Sequence, residues 1–450
     1  MKRLIFCFDG TWNKLSTDTP TNVVLTAASI VRRTRDNIAQ IINYDEGVGT
    51  ARLERILGGT MGAGLTQNIR EAYRFLIFNY DPGDQIYVFG FSRGAFSAQT
   101  FVGFIRHIGP LRRLHVSKID EALQLYQSRS LSNEEVSEDI RRFRSKYADG
   151  VCIDEADDIW RCKNIAGYQA GSSPLLKISY LGIWDTVSAL GVPPMIPGSS
   201  WFNRRHAFHQ AKMDSFVESA RHAVAIDEHR VLFPVTLWGD RTPLNAAKGA
   251  KNDDCDAPYQ EKWFPGNHGS VGGGGDIRGQ SDGALAWVIK GAKKAGLVLD
   301  TEYGSRIQQF KPDSLAPLVN VTGAKKGIMD YWTTNRPGPE HMWQLSAAAI
   351  RRWHAPAALL PEGKLYRPKT LEKASDALEA QAPALSPEEK LLARHTVISG
   401  DQLGKLAEKY YGDASKWTMI FAANRDLIDD PDELFLGWSL RIPDSSTSEV

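Results

Sequence analysis

The chain holds only four cysteines in 450 residues, and Cys7, Cys152, Cys162 and Cys255 form no Cys-x-x-Cys pair. That spacing excludes a zinc knuckle and a disulfide framework and points to folding in a reducing cytoplasm. Net charge is also scarce: the formal value is +1 with 24% charged residues, which gives no electrostatic reason to expect a nucleic acid partner. No window approaches the roughly 18 to 20 consecutive apolar residues that a membrane-crossing helix needs. At the N-terminus two basic residues precede an apolar run that breaks at Asp9 without a small-residue cleavage site. This is the pattern of a first core strand, not of a signal peptide, and the chain is expected to be cytoplasmic as synthesised. The glycine run Gly58–Gly64 lacks the Gly-Lys-Ser/Thr ending of a phosphate loop and is expected to be a flexible entry into a helix over Gln67–Phe78. His206 and His209 lie three residues apart, but no third and fourth ligand accompany them, so neither a metal nor another cofactor is expected.

Short β-type runs alternate with amphipathic stretches. Arg3–Phe8, Gln40–Tyr44, Gln85–Phe89, Leu176–Trp184 and Val231–Trp238 are the expected strands. Such alternation predicts an α/β fold, a mostly parallel sheet covered by helices. A polar, helical insertion is expected before Leu176. The Pro-rich yet apolar stretch Gly191–Phe202 is either a lid over a site or a loop packed on the core. Near residue 361 the composition shifts to Ala, Glu, Lys and Pro, so the expected division is a catalytic domain over 1–360, a linker over 361–392 and a small unit over 393–445. That unit reads strand, helix (Leu403–Tyr411), helix (Trp417–Asn424), strand.

Gly90-Phe91-Ser92-Arg93-Gly94 follows the strand-like Gln85–Phe89 and opens a stretch with helical spacing at Phe96, Phe101 and Ile105. A serine between two glycines at a strand-to-helix turn is the pattern of a nucleophile elbow. A serine hydroxyl is almost fully protonated at neutral pH, so it needs a base and a group that orients the base. Asp185, closing an apolar strand, is the candidate acid, with a turn or cap aspartate as the alternative. His268, in the glycine-rich Lys262–Gly275 stretch, is the candidate base in competition with His206, His209, His222 and His229. The oxyanion of an acyl-transfer intermediate needs N–H donors. Arg93, after the serine, and Gly10 or Thr11, after the first strand, are placed to supply them, while the Asp9 side chain reads as a turn-closing group.

Several separated motifs agree in order and spacing with one family. Phe8–Asn13, Asp45–Thr50, Gly83–Ala95, Gly182–Val187, His222–Glu228 and Trp263–Gly274 resemble the α/β-hydrolase family that includes the first class of type VI secretion lipase effectors. The resemblance spans about residues 1 to 350. It implies an α/β-hydrolase sheet, a Ser92, Asp185, His268 triad and phospholipase A activity on glycerophospholipids. It also implies export by a type VI-like apparatus, with an immunity protein or a secretion-spike protein as partner. That family often carries an aspartate two residues after the histidine, where this chain has Ser270. Val397–Leu403, Ala407–Gly412, Trp417, Ile420, Asn424 and Gly437–Pro443 resemble a LysM domain, which implies glycan or peptidoglycan binding through Gly400, Asp401, Gln402, Leu403, Phe435, Leu436 and Gly437. Other outcomes compatible with the residues are an esterase for cell-wall glycan esters or small soluble esters, and a LysM-anchored adaptor without turnover.

Overall fold

The computed structural model describes residues 1–10, 19–47, 61–128, 136–187, 213–231, 233–300, 310–320, 333–381, 391–425, 427–428, 430–432, 434 and 438–444. Six strands form one parallel sheet: β1 (Arg3–Phe8), β2 (Gln40–Asp45), β3 (Gln85–Phe91), β4 (Tyr180–Trp184), β5 (Ala220–Ala225) and β6 (Tyr259–Phe264). Their order is β2-β1-β3-β4-β5-β6. The chain leaves β1 in one direction and, after β2, crosses to the other side, so the order reverses between β1 and β3. In open parallel sheets the crevice beyond the carboxyl ends of the strands at such a reversal is the usual ligand site.

β1 shows why both faces are covered. Its side chains alternate with period two, and every residue is buried. Leu4, Phe6 and Phe8 enter one core with Ile69, Tyr73 and Leu76 of α2 (Met61–Asn79) and Phe101, Phe104 and Ile105 of α3 (Arg93–Ile108). Ile5 and Cys7 enter the other, with Val23 and Leu25 of α1 (Asn22–Ser29) and Leu285, Val288 and Ile289 of the helix Gly279–Lys294. The polar insertion folds into α4 (Ile119–Gln127), α5 (Glu138–Tyr147) and α6 (Glu155–Asn164), fixed by the buried Asp157 between Arg144 and Arg161.

Four expectations change. Val231–Trp238 is not a strand: Pro234 removes an N–H from the middle of the run, and the sheet positions are filled by Ala220–Ala225 and Tyr259–Phe264. Leu176–Trp184 is a regular strand only from Tyr180. The helix expected from Gln67 already begins at Met61, taking in Gly62 and Gly64 of the glycine run. The stretch expected as a linker is packed as far as Leu378: Tyr366, Leu371, Ala374 and Leu378 are buried with Trp263 and Trp353. No described helix is long and apolar enough to cross a membrane. Gly191–Phe202, His206 and His209 lie outside the described residues.

The C-terminal unit pairs β7 (Leu391–Thr396) with β8 (Ser439–Pro443) in an antiparallel ladder around the helices Leu403–Tyr411 and Trp417–Ala423. Its core holds Val397, Leu403, Leu406, Ile420, Leu440 and Ile442, and Ala286 of the larger domain joins it. Leu403, expected to line a groove, is therefore a core residue. The Asp401 carboxylate is taken up at home, accepting from Ile398 N at 2.8 Å and contacting His395 Nε2 at 2.7 Å. Gly400 turns the chain at φ 91°, and Gln402 stands just before the first helix of the unit, with no side-chain hydrogen bond to it. Phe435, Leu436 and Gly437 lie outside the described residues.

Candidate active site

Ser92 stands between the last residue of β3 and the first of α3 at φ 60° and ψ −126°. Its N–H donates to Trp184 O at 3.1 Å, and its carbonyl accepts from Ala95 N at 3.1 Å, so the turn is locked to β4 on one side and to the helix on the other. The flanking glycines follow from crowding. A Cβ on Gly94 would lie 2.2 Å from Phe8 O and 2.4 Å from Asp9 O, and one on Gly90 would lie 2.7 Å from Ala95 Cα and from Gly94 O. Among the described residues only Asn37, Ser92 and Asp185 are non-glycine residues at positive φ. Left-handed backbone at a non-glycine residue costs on the order of 1–3 kcal/mol and tends to mark functional sites. Two of the three strained residues are the expected nucleophile and acid.

Asp185, at φ 37°, follows β4 directly and is fully buried. Its Oδ2 lies 2.5 Å from His268 Nδ1, and its Oδ1 accepts from Ala225 N at 2.9 Å. Arg336, not anticipated from the sequence, grips both oxygens: Nη1 donates to Oδ1 at 2.5 Å and Nη2 to Oδ2 at 3.0 Å. The same guanidinium reaches Ala225 O and Phe233 O, so it ties the acid to the end of β5 and the loop after it. Burial alone would push the Asp185 carboxyl up, but the Arg336 charge and the His268 contact together hold it well below the usual range. It stays ionised.

His268 opens a short helix whose cap is Asn267, with Asn267 Oδ1 accepting from Ser270 N at 3.0 Å. The His268 N–H donates to Glu228 Oε2 at 3.2 Å. Its ring is held between Phe91, centroids 4.6 Å apart, and Phe233, 4.8 Å apart. Phe91 is the residue before Ser92, so the imidazole is brought against the elbow itself. Among the described residues neither Ser92 Oγ nor His268 Nε2 has a hydrogen-bond partner. Catalytic hydrogen bonds of this kind are often long without substrate and tighten on binding.

Arg93, as the first residue of α3, presents an N–H with no intrahelical acceptor, the placement an oxyanion donor requires. Gly10 differs from expectation: its N–H donates to its neighbour's carboxylate, Asp9 Oδ1, at 2.6 Å. Thr11 lies outside the described residues. Asp9 is fully buried, and its Oδ2 also accepts from Thr21 Oγ1 at 2.7 Å and Tyr44 Oη at 2.6 Å, so its side chain is engaged by the scaffold. Of the competing histidines, His222 is fully buried in β5, with Nδ1 2.9 Å from Glu261 Oε2 and Nε2 accepting from Thr186 N at 3.2 Å.

Residues 2–291 match the family described as "T6SS, Phospholipase effector Tle1-like, catalytic domain". The chain belongs to that family. The Tle1-like match takes in Ser92, Asp185 and His268 but ends before Arg336, so the cation that clamps the acid comes from beyond the matched residues. Curated relatives include an uncharacterised protein, YEL023C, of Saccharomyces cerevisiae, 27% identical over 247 residues, which are 52% of this chain and 32% of that one. The potassium binding protein Kbp of Escherichia coli is 40% identical over 50 residues, 11% of this chain and 34% of that one. The chain thus spans about a third of the length of these relatives. Among solved structures, an uncharacterised protein from Pseudomonas aeruginosa has a TM-score of 0.37 at 17% identity, covering 66% of this chain and 46% of that one. The Tle1 effector bound to the VgrG spike has a TM-score of 0.32 at 18% identity, covering 61% and 51%.

Proposed function

We propose that this Tle1-like domain is a serine esterase that hydrolyses acyl esters of glycerophospholipids. The observation that carries the reading is the 2.5 Å contact between Asp185 and His268 beside a serine held at φ 60° on the elbow. In the reaction Ser92 Oγ attacks the acyl carbonyl carbon while His268 Nε2 takes its proton. Asp185 stabilises the imidazolium through Nδ1, and the Arg93 N–H donates to the oxyanion. The imidazolium then returns the proton to the departing glycerol oxygen. Water, deprotonated by His268, cleaves the acyl-enzyme and releases the fatty acid. The test is fatty-acid release from phospholipid vesicles by the protein beside Ser92→Ala. Release by the wild type that falls by on the order of a million-fold in the variant is expected. Equal release by both would end the assignment.

Membership of a type VI effector family supports delivery by that apparatus, with a secretion spike as carrier and an immunity protein guarding the producer. For the C-terminal unit, the βααβ order supports a LysM-like, glycan-binding module. The resemblance of 50 residues to a potassium binding protein supplies the competing ligand. Titration with N-acetylglucosamine oligomers and with potassium chloride, against sodium chloride, separates the two.

A further inference from the structure

Among the described residues, the charged groups at the carboxyl edge of the sheet are nearly all matched. Asp9 is held by Gly10 N, Thr21 and Tyr44, Asp185 by His268 and Arg336, and Glu228 by Arg230. Buried arginines elsewhere are matched too: Arg144 and Arg161 by Asp157, Arg241 by Glu261, Arg352 by Glu362, and Arg221 by a backbone carbonyl. Arg93 is the exception. It is half-buried, it follows the nucleophile directly, and among the described residues its guanidinium has no hydrogen bond and no acid beside it. Burial with nothing to offset it pulls its pKa down to about 10, still far above neutrality, so the group remains a cation.

A guanidinium removed from water without a counter-charge is costly, and folded chains avoid it by supplying an anion. Among the described residues the fold supplies none, and an anionic ligand would offset the charge. It has to lie within one side chain's reach of the atom that attacks the ester. In a glycerophospholipid the acyl ester and the phosphodiester are carried on the same three-carbon backbone, which brings a phosphate to that distance when the acyl carbonyl is at Ser92. A planar guanidinium with paired N–H donors suits two phosphate oxygens.

We propose that the Arg93 side chain binds the phosphodiester of the lipid head group and so selects phospholipids over neutral acylglycerols. This rests on the esterase reading above, and adds to the backbone N–H of Arg93 a separate task for its side chain. The ligand chemistry, a phosphate oxyanion, is shared by a lipid head group and by free phosphate.

The test compares kcat/KM on a monomeric short-chain phosphatidylcholine and on the diacylglycerol with the same acyl chains, for wild type, Arg93→Lys and Arg93→Gln. Both variants keep the backbone N–H, so any loss through the oxyanion falls on both substrates alike. Arg93→Gln should lower the phospholipid-to-diacylglycerol ratio by on the order of 10- to 100-fold, with Arg93→Lys between. Phosphate, as a competitor of the neutral ester, should inhibit wild type more than Arg93→Gln. An unchanged ratio, whether both rates fall together or neither falls, would overturn the proposal. If wild type turned over neither ester, the esterase reading would fall by itself. Calorimetric titration with glycerophosphocholine and with inorganic phosphate would then decide: binding of the phosphodiester lost in Arg93→Gln sustains the site, and binding equal in both proteins, of free phosphate only, or of neither overturns it.

Discussion

Two carboxylate–histidine pairs lie within a few residues of each other at this sheet, and their difference separates the proposed chemistry from scaffolding. Asp185–His268 stands beyond the strand ends, Glu261–His222 between β6 and β5 inside the sheet. The second nitrogen decides the use of each ring. His222 Nε2 accepts from the Thr186 amide, which can only donate, so the neutral ring carries its proton on Nδ1 toward Glu261. Both nitrogens are engaged, and the ring acts as a strut. His268 Nε2 has no partner among the described residues, which leaves it open for the proposed role of base. The two pairs are also joined, because Thr186 is the residue after Asp185. The strut fixes the backbone that carries the acid in its strained conformation.

The sharpest break of this comparison exchanges the two histidines for alanine. His268→Ala should lower turnover on phospholipid by on the order of 10⁴- to 10⁶-fold while moving the urea midpoint little. His222→Ala should destabilise by about 3 kcal/mol, since it strips one partner from the buried Glu261 and leaves the Thr186 amide without an acceptor. Turnover per folded molecule should fall far less than in His268→Ala. A His222→Ala protein of normal stability but no activity would place both rings in the chemistry.

Arg336 is where scaffold and chemistry meet, so its removal should show in both. Arg336→Gln leaves Asp185 buried beside His268 with one charge partner fewer, and a destabilisation of about 3 kcal/mol by denaturant titration is expected. The same variant tests the pH dependence. Asp185 is held below its ordinary value of 3.8, and Glu228 and Glu261 below 4.5. Depressed carboxyls bind fewer protons folded than unfolded, so their contribution is complete above about pH 4.5 and is lost as pH falls through and below 3.8. Urea midpoints from pH 7 down to pH 3 should therefore drop at the acid end, and drop less steeply in Arg336→Gln, because Asp185 then titrates nearer its unfolded value. An identical slope would mean that Arg336 does not set the Asp185 charge.

The difference between the two pairs also explains what could be read in advance. The elbow was legible because a tight strand-to-helix turn forces glycines onto both sides of a fixed serine, and β1 to β4 because their apolar runs are continuous or nearly so. β5 and β6 were not, because Arg221, His222, Gln260 and Glu261 interrupt the apolar pattern. Their partners, Trp287 O, Trp238 N and Arg241 among them, come from distant segments, so burial of those charges has no local sign. Arg336 leaves no sign in the sequence for the same reason. It stands in Asn335-Arg-Pro-Gly-Pro339, a stretch with no periodicity, and it matters only once β4 and β5 have brought Asp185 and Ala225 together. The segment after residue 361 hides its packing because its composition is rich in Ala, Glu, Lys and Pro and only four apolar side chains, Tyr366, Leu371, Ala374 and Leu378, are buried, yet these suffice to cover Trp263 and Trp353.

The smallest effect tests the scaffold on the other side of His268. Asp227, just past β5, receives Gly266 N and Tyr366 Oη, each at 2.7 Å, but among the described residues no ion pair. Burial therefore prevails and raises its pKa, the opposite of Asp185. A raised carboxyl binds more protons folded than unfolded, so its favourable contribution is present at low pH and is lost as pH rises through the folded value. Tyr366→Phe removes one of the two donors to the ionised form and should destabilise by about 1 kcal/mol at neutral pH, with less loss at pH 4. Urea midpoints at the two pH values measure it. An equal loss at both would mean that the Tyr366 hydroxyl does not favour the ionised form of Asp227 over the neutral one. A loss confined to neutral pH would show the hydroxyl holding Asp227, and through Gly266 the loop that delivers His268.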